Sequence, residues 1–272
     1  MKEEEKFEFP KLYTEFAQYY DELEKNNRDY QREARWLASI FEEKRPKRIL
    51  DLSCGTGSHI SLLKSELKGT KAELYAMDAS DQMIKLAKRK MKKSSEQSQM
   101  CSFARADFLS APFQPGSFDA LICMYWSIAG LNESLVSMLF AEAYSILSSG
   151  GTFTFDTENS EGIKENLLDA PFIDAYFKSE EGKGFNIFRV NRSVKTAKDL
   201  VDWRAYYVIE SDDEPRSASV YLDRMNLRFY SRKQIESLLG QAGFSTREVL
   251  SGPFDEYREA SPSLYFVAEK GI

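Results

Sequence analysis

Along the chain, apolar residues first recur at helical spacing. Tyr30, Ala34, Leu37 and Phe41 lie three or four apart with charges between them, which predicts helix across 12–43. After Pro46 the pattern shortens. Lys47–Leu52 reads as an apolar strand, Ser58–Leu67 as a helix ended by Gly69, and Glu73–Met77 as a second strand. Ser80–Met91 is a helix with lysines on its outer face, and KKSSEQSQ (92–99) is a polar loop. Cys101–Arg105 and Phe118–Met124 supply third and fourth strands, and Glu133–Leu147 a helix. Gly150-Gly151 then turns the chain into a fifth strand, Thr152–Asp156. Such alternation predicts an α/β fold: a doubly wound, Rossmann-like parallel sheet with helices on both faces.

The pattern breaks after residue 157. Phe185–Val194, Leu200–Ile209 and Ser217–Phe229 have strand-like composition. In the middle one, Val201, Trp203, Ala205, Tyr207 and Ile209 alternate with Asp202, Arg204 and Tyr206, the period of an antiparallel sheet with one covered face. SDDEPRS is the turn between the last two. Helix returns at Ser231, which has capping-box spacing to Gln234, and Gly243 closes it. Phe244–Leu250 and Ser263–Glu269 are two final strands. The expected organisation is a helical arm (1–45), a doubly wound domain (46–157 and 229–272) and a β-rich insertion (158–228).

Composition narrows the function. The 272 residues carry a formal charge of -6, which argues against holding a nucleic-acid backbone by electrostatics. No apolar run reaches the length of a membrane span, and MKEEEKFEFP lacks the apolar core of a signal peptide. Cys54, Cys101 and Cys123 form no C-x-x-C pair, so reduced thiols and a cytoplasmic location are expected. With one histidine, His59, a His-rich metal site or a Ser-His-Asp triad lacks material, and no metal is expected. His59 reads either as a first-turn helix residue beside the glycine loop or as a lone chemical group.

The chemistry concentrates at "ILDLSCGTGSHI" (49–60), a strand running into a glycine turn that opens a helix. A phosphate-cradling loop needs Lys-Ser or Lys-Thr after its last glycine, and here Ser58-His59 follow. A dinucleotide fingerprint needs a third small residue, and that position is Ile60. The remaining reading is a nucleoside ligand without a phosphate. Asp78 ends the second strand, where a carboxylate can accept both ribose hydroxyls. Asp107 ends the third, placed to accept from a base amine. All these positions fall at the carboxyl edge of the sheet, where open α/β folds bind ligands.

Asp51-Leu-Ser-Cys-Gly-Thr-Gly57 resembles motif I of the class I S-adenosylmethionine-dependent methyltransferases, with Ser53 where that family usually has glycine. Met77–Met83 resembles their ribose-binding segment, Ala106-Asp107-Phe108 their adenine-binding motif, and Phe118–Ile122 and Leu147–Phe155 their fourth and fifth strands. The resemblance implies a seven-stranded sheet whose last strand is antiparallel, and S-adenosylmethionine as cofactor. It implies cofactor contacts from Asp51, Ser53, Gly55, Gly57, Asp78, Ala79, Met83, Asp107, Phe108 and Met124. The segment Leu12–Asp21 resembles the amino-terminal Tyr-Asp segment of the small-molecule branch, which implies that Tyr20, in preference to Tyr19, lies over the cofactor's amino-acid end. The alternative is that both tyrosines pack the arm onto the sheet.

Transfer from a sulfonium asks the protein chiefly to align an acceptor and exclude water. An amine acceptor needs only a free lone pair, whereas a hydroxyl needs a base or metal. The fourth strand ends Cys123-Met124-Tyr125-Trp126 and lacks the Asn/Asp-Pro-Pro-aromatic motif of DNA amino-methyltransferases. Glu133 stands alone where protein-arginine methyltransferases place two glutamates. A small-molecule acceptor is therefore expected, with nitrogen favoured over oxygen; the same fold could also bind the cofactor without catalysis. Candidate acceptor-site groups are Tyr125, Trp126, Arg204 and Arg228, with Trp203, Tyr206 and Arg224 also available on a β-sheet lid formed by the insertion. An outward arginine would be only a solvated face.

Overall fold

Apolar runs too short for helices and flanked by turns build the centre. β1 (Arg48–Asp51), β2 (Glu73–Asp78), β3 (Cys101–Arg105), β4 (Phe118–Cys123) and β5 (Leu147–Glu158) pair in parallel. β10 (Phe244–Ser251) and β11 (Ser263–Lys270) complete a seven-stranded sheet of order β10-β11-β5-β4-β1-β2-β3, with β11 antiparallel to both neighbours. The computed structural model describes residues 10–93, 101–162, 171–180, 183–197, 199–211, 217–252, 254, 258 and 261–272. Most of the 92–99 loop and of the SDDEPRS turn lies outside these.

Each face of the sheet buries its own core. On one, Leu121, Phe153, Phe155 and Phe266 pack with Leu139 and Phe140 of α5 (Glu133–Ile146) and Leu238 and Leu239 of α6 (Arg232–Ala242). On the other, Ile49, Ile122 and Val267 pack with Leu37 and Phe41 of α2 (Tyr30–Lys44) and Ile60 and Leu63 of α3 (Ser58–Glu66). α4 (Asp81–Lys93) follows β2. Ser231 and Gln234 form a capping box at the start of α6, and Gly243 ends it in the left-handed region.

A second, antiparallel sheet has the order β6 (Phe172–Glu180), β7 (Lys183–Ala197), β8 (Leu200–Ser211) and β9 (Ser217–Arg228). One face of it packs on the arm: Ile187, Ala205 and Tyr207 form a cluster with Leu12, Phe16, Tyr20, Leu23 and Met83.

Three sequence expectations are corrected. The helix predicted over 12–43 is broken into single turns at Lys11–Tyr13 and Ala17–Tyr19, a short α1 (Tyr20–Glu24), and α2. The break has a local cause: Asn27 folds its amide back to Leu23 O, and the Asp29 side chain accepts from Arg32 N–H at 3.0 Å, starting a new helix. The strand β6 was not anticipated, because neither of its alternating residue sets is uniformly apolar. β5 begins at Leu147, so Gly150-Gly151 lies within the strand and not before it.

Candidate cofactor and acceptor cleft

The glycine turn is fixed from both sides. Leu52 N–H donates to Ile122 O and Cys54 N–H to Met77 O, each at 2.9 Å, pinning the turn between the ends of β4 and β2. Gly55 N–H then reaches Asp78 Oδ2 at 2.9 Å while Ser80 N–H reaches Oδ1 at 2.8 Å. Both carboxylate oxygens are thus oriented by backbone and keep lone pairs free for a ligand. Gly57 has φ +80° and runs so close to α4 that a Cβ would lie 3.0 Å from Ala87 Cβ. Asp51 is 1% exposed. Its Oδ1 accepts from Ser53 N–H at 3.2 Å, and its Oδ2 has no partner. Burial pushes this carboxyl up to about 7 against the opposing pull of His59 and the Ser53 N–H.

At the end of β4, Tyr125 (φ +69°) and Trp126 (φ +56°) both adopt left-handed backbone, unusual for aromatic residues. Trp126 N–H donates to Asp156 Oδ1 at 3.2 Å. The Arg28 guanidinium lies 4.8 Å from the Tyr125 ring centre and 5.1 Å from that of Trp126. It is ion-paired with Asp156, and its Nε lies 3.0 Å from Glu33 Oε1 without the alignment of a hydrogen bond. Burial opposes the Arg28 charge, but Asp156 and Glu33 hold it. Glu33 also takes His59 Nε2 at 2.6 Å and the Tyr265 hydroxyl at 2.8 Å. Burial would raise the Glu33 carboxyl; these partners and Arg28 outweigh it and lower it. His59 is therefore part of a buried network.

The arm closes over these groups. Glu24 accepts from the Tyr125 hydroxyl and from Arg189 on β7, and Asp223 on β9 accepts Lys11 N–H and Leu12 N–H at 2.8 and 2.9 Å. Asp21 binds the Thr56 hydroxyl at 2.5 Å and Lys90 at 2.9 Å. The Tyr13 carbonyl accepts from the Ser80 hydroxyl. Burial, together with the surrounding carboxylates of Glu24, Asp78, Asp223 and Glu158, pushes the Tyr13 phenol up.

The expected residues are not all brought together. Asp51, Ser53, Gly55, Gly57, Asp78 and Ala79 come together at the β1 and β2 ends, where Ser53 Oγ is 2.8 Å from Ser127 Oγ and Ala79 O accepts from Arg105. Tyr20 packs 6.4 Å from Tyr125, edge-on, and shares its buried cluster with Met83. Met124 is 2% exposed in the core beneath α2 and α3. Asp107 is exposed and accepts Leu109 N–H at 2.9 Å, with Phe108 half-buried beside it. Arg204 and Arg228 lie on the second sheet, and Arg228 N–H donates at 2.6 Å to Ala129 O in the loop after β4. Arg204 shares Asp202 with Arg224 on the outer face of the second sheet, side chain 42% exposed, and Arg228 pairs with Asp199. Tyr13, Glu24, Arg28, Glu33, Asp156 and Glu158 were missed. The polar break at 26–29, inside an otherwise helical stretch, was the one available signal for Arg28.

Residues 49–151 match the protein family described as a methyltransferase domain. Residues 49–151 thus form a methyltransferase domain like those of the class I S-adenosylmethionine-dependent methyltransferases. The chain is 32% identical over 164 residues to protein YqeM of Bacillus subtilis, matching 60% of this chain and 62% of that one. It is 33% identical over 147 residues to demethylmenaquinone methyltransferase of Thermus thermophilus, 52% of this chain and 61% of that protein. The chain thus spans about three fifths of the length of these two relatives. The sugar N-methyltransferase KedS8 from Streptoalloteichus has the same fold, with a TM-score of 0.73 at 21% identity over 97% of this chain and 95% of that one. No helix among the described residues is long and apolar enough to cross a membrane.

S-adenosylmethionine, the cofactor of the family, fits the residues present. The unpartnered Asp51 oxygen suits its ammonium group, the oriented Asp78 carboxylate suits its ribose hydroxyls, and the turn at Gly55–Gly57 leaves backbone free to approach.

Proposed function

We propose that this methyltransferase transfers the S-adenosylmethionine methyl group to an amine nitrogen of a small molecule. The observation that carries the reading is the Asp78 carboxylate, fixed by the Gly55 and Ser80 N–H groups at the end of β2. The cofactor supplies an already activated methyl group, so the protein's task is alignment and exclusion of water. Asp51, Ser53, Gly55, Gly57, Asp78 and Ala79 serve the cofactor, with Asp107 and Phe108 at its base and Tyr20 over its amino-acid end. The second sheet acts as a lid, and Tyr125 and Trp126 form the acceptor wall.

An amine is favoured by the surroundings of that wall, a cluster of carboxylates and aromatic faces. Its one histidine and its arginine are committed to Glu33 and Asp156. Burial, with Asp51 and Asp156 adding to it and Ser53 and Ser127 opposing it, pushes the Cys123 thiol up to about 12, which removes it as a base at neutral pH. The shared fold with a sugar N-methyltransferase supports the same reading.

Titration calorimetry tests the cofactor assignment. The intact chain should bind S-adenosylmethionine, and Asp78→Ala should weaken binding about thirtyfold or more, the worth of lost charge-assisted hydrogen bonds. No binding by the intact chain defeats the proposal. Methyl transfer from labelled cofactor to hydroxyl but never to amine members of an acceptor panel would replace nitrogen by oxygen.

A further inference from the structure

One group in the cleft lacks any explanation in cofactor binding. Glu158 ends β5, two residues beyond Asp156 and so on the same side of the strand. Asp156 is consumed by Arg28 and the Trp126 N–H. Glu158, by contrast, holds Oε2 buried with no hydrogen-bond partner, although its backbone is tied by Tyr230 N–H. Through Asp156, which takes the Trp126 N–H, that side of β5 adjoins the end of β4. Beside Asp156, the indole Nε1–H of Trp126 is a second buried polar atom without a partner. A buried acceptor and a buried donor, both unmatched, mark a place for a ligand that supplies the complement of each.

We infer that Glu158 is the counter-ion and proton acceptor for a cationic amine, and that Trp126 Nε1–H binds an oxygen on the same molecule. The inference rests on the methyltransferase reading and specifies its acceptor site: a small amine bearing a hydroxyl or ether oxygen. An acceptor arriving as R–NH3+ gives one proton to Glu158 Oε2. The nitrogen lone pair then forms the new N–C bond to the methyl carbon while the C–S bond breaks and its electron pair stays on sulfur. The methylated product leaves as R–NH2–CH3+, and the protonated Glu158 returns its proton to solvent. The burial and neighbouring Asp156 that push the Glu158 carboxyl up to about 8 make it a stronger base than an exposed glutamate, and Arg28 offsets this only in part.

The test uses the full chain saturated with S-adenosylhomocysteine and reads melting temperature with matched probes: glucosamine against glucose, and ethanolamine against ethylene glycol. In the wild type at least one amine should stabilise the complex more than its hydroxyl partner. Glu158→Gln should abolish that gap, a tenfold or greater loss of amine affinity, while the shift produced by S-adenosylhomocysteine alone stays unchanged. A gap that survives in Glu158→Gln overturns the assignment, as does the absence of any amine preference in the wild type. Should Glu158→Gln fail to fold, Glu158→Asp takes its place; a reduced gap supports the assignment and an undiminished one overturns it. Failure of S-adenosylhomocysteine to stabilise the wild type would instead sink the cofactor reading.

Discussion

In the ligand-free protein Asp51 and Glu158 each keep one carboxylate oxygen buried and unpaired, so both are held toward their neutral forms until a cationic ligand binds. Glu158 faces Asp156 on its own strand, Arg28 from the chain before α2 and Tyr13 from the arm. A carboxyl whose folded pKa is raised contributes stability that is full below its unfolded value and is lost as pH rises through the folded one. For Asp51 the window runs from the ordinary 3.8 to about 7, and for Glu158 from 4.5 to about 8. Urea midpoints of the cofactor-free protein should therefore fall as pH rises across this range, and Glu158→Gln should flatten the slope in its upper half. A midpoint rising with pH in the wild type would contradict the burial of both groups. Gly57 makes a separate demand. Gly57→Ala adds a side chain at φ +80°, 3.0 Å from Ala87, and should cost about 1–3 kcal/mol by urea unfolding while weakening S-adenosylhomocysteine binding.

Elements differ in how far their residues announce them. β1 to β4 could be read to within a residue or so because a central parallel strand needs an unbroken apolar run, and Ile49-Leu50 and Ala120-Leu121-Ile122 have no alternative use. Asp78 was legible for a related reason: a carboxylate at a strand end beside a glycine turn has few structural duties. The arm was not. Its apolar residues keep helical spacing, yet Leu12, Phe16, Tyr20 and Leu23 are held by β7, β8 and α4, so tertiary packing replaces helix continuity. Arg28, Glu33 and Asp156 were invisible because they meet only through folding, from segments up to 128 positions apart. Asp223 shows what such a long-range tie is worth. Asp223→Ala leaves the Lys11 and Leu12 N–H groups without their acceptor and should lower stability by about 1–3 kcal/mol. Arg204→Ala, which removes a solvent-facing partner of Asp202, should leave stability nearly unchanged; equal losses would deny the arm its anchoring role.

Across the whole molecule, the arm connects the two sheets around the cleft. Asp21 fastens it to Thr56 and Lys90 on the cofactor side, Tyr13 to Ser80, and Glu24 joins Tyr125 at the end of β4 to Arg189 on the second sheet. On the proposed reading, a ligand lodged against Asp78 and under Tyr20 would touch this connection and couple its binding to both sheets. S-adenosylhomocysteine at about 100 times its Kd stabilises any protein that binds it only when folded by about 2.7 kcal/mol. Here that stabilisation should appear as slower amide exchange in Tyr13–Glu24 and in β8 around Ala205 and Tyr207, far from the adenosine itself. Glu24→Gln weakens the link between Tyr125 and Arg189 without touching Asp78, so it should keep the exchange protection of the β1 and β2 ends while losing that of β8. Protection confined to the cofactor turn in the wild type would show instead that the second sheet moves independently of cofactor binding.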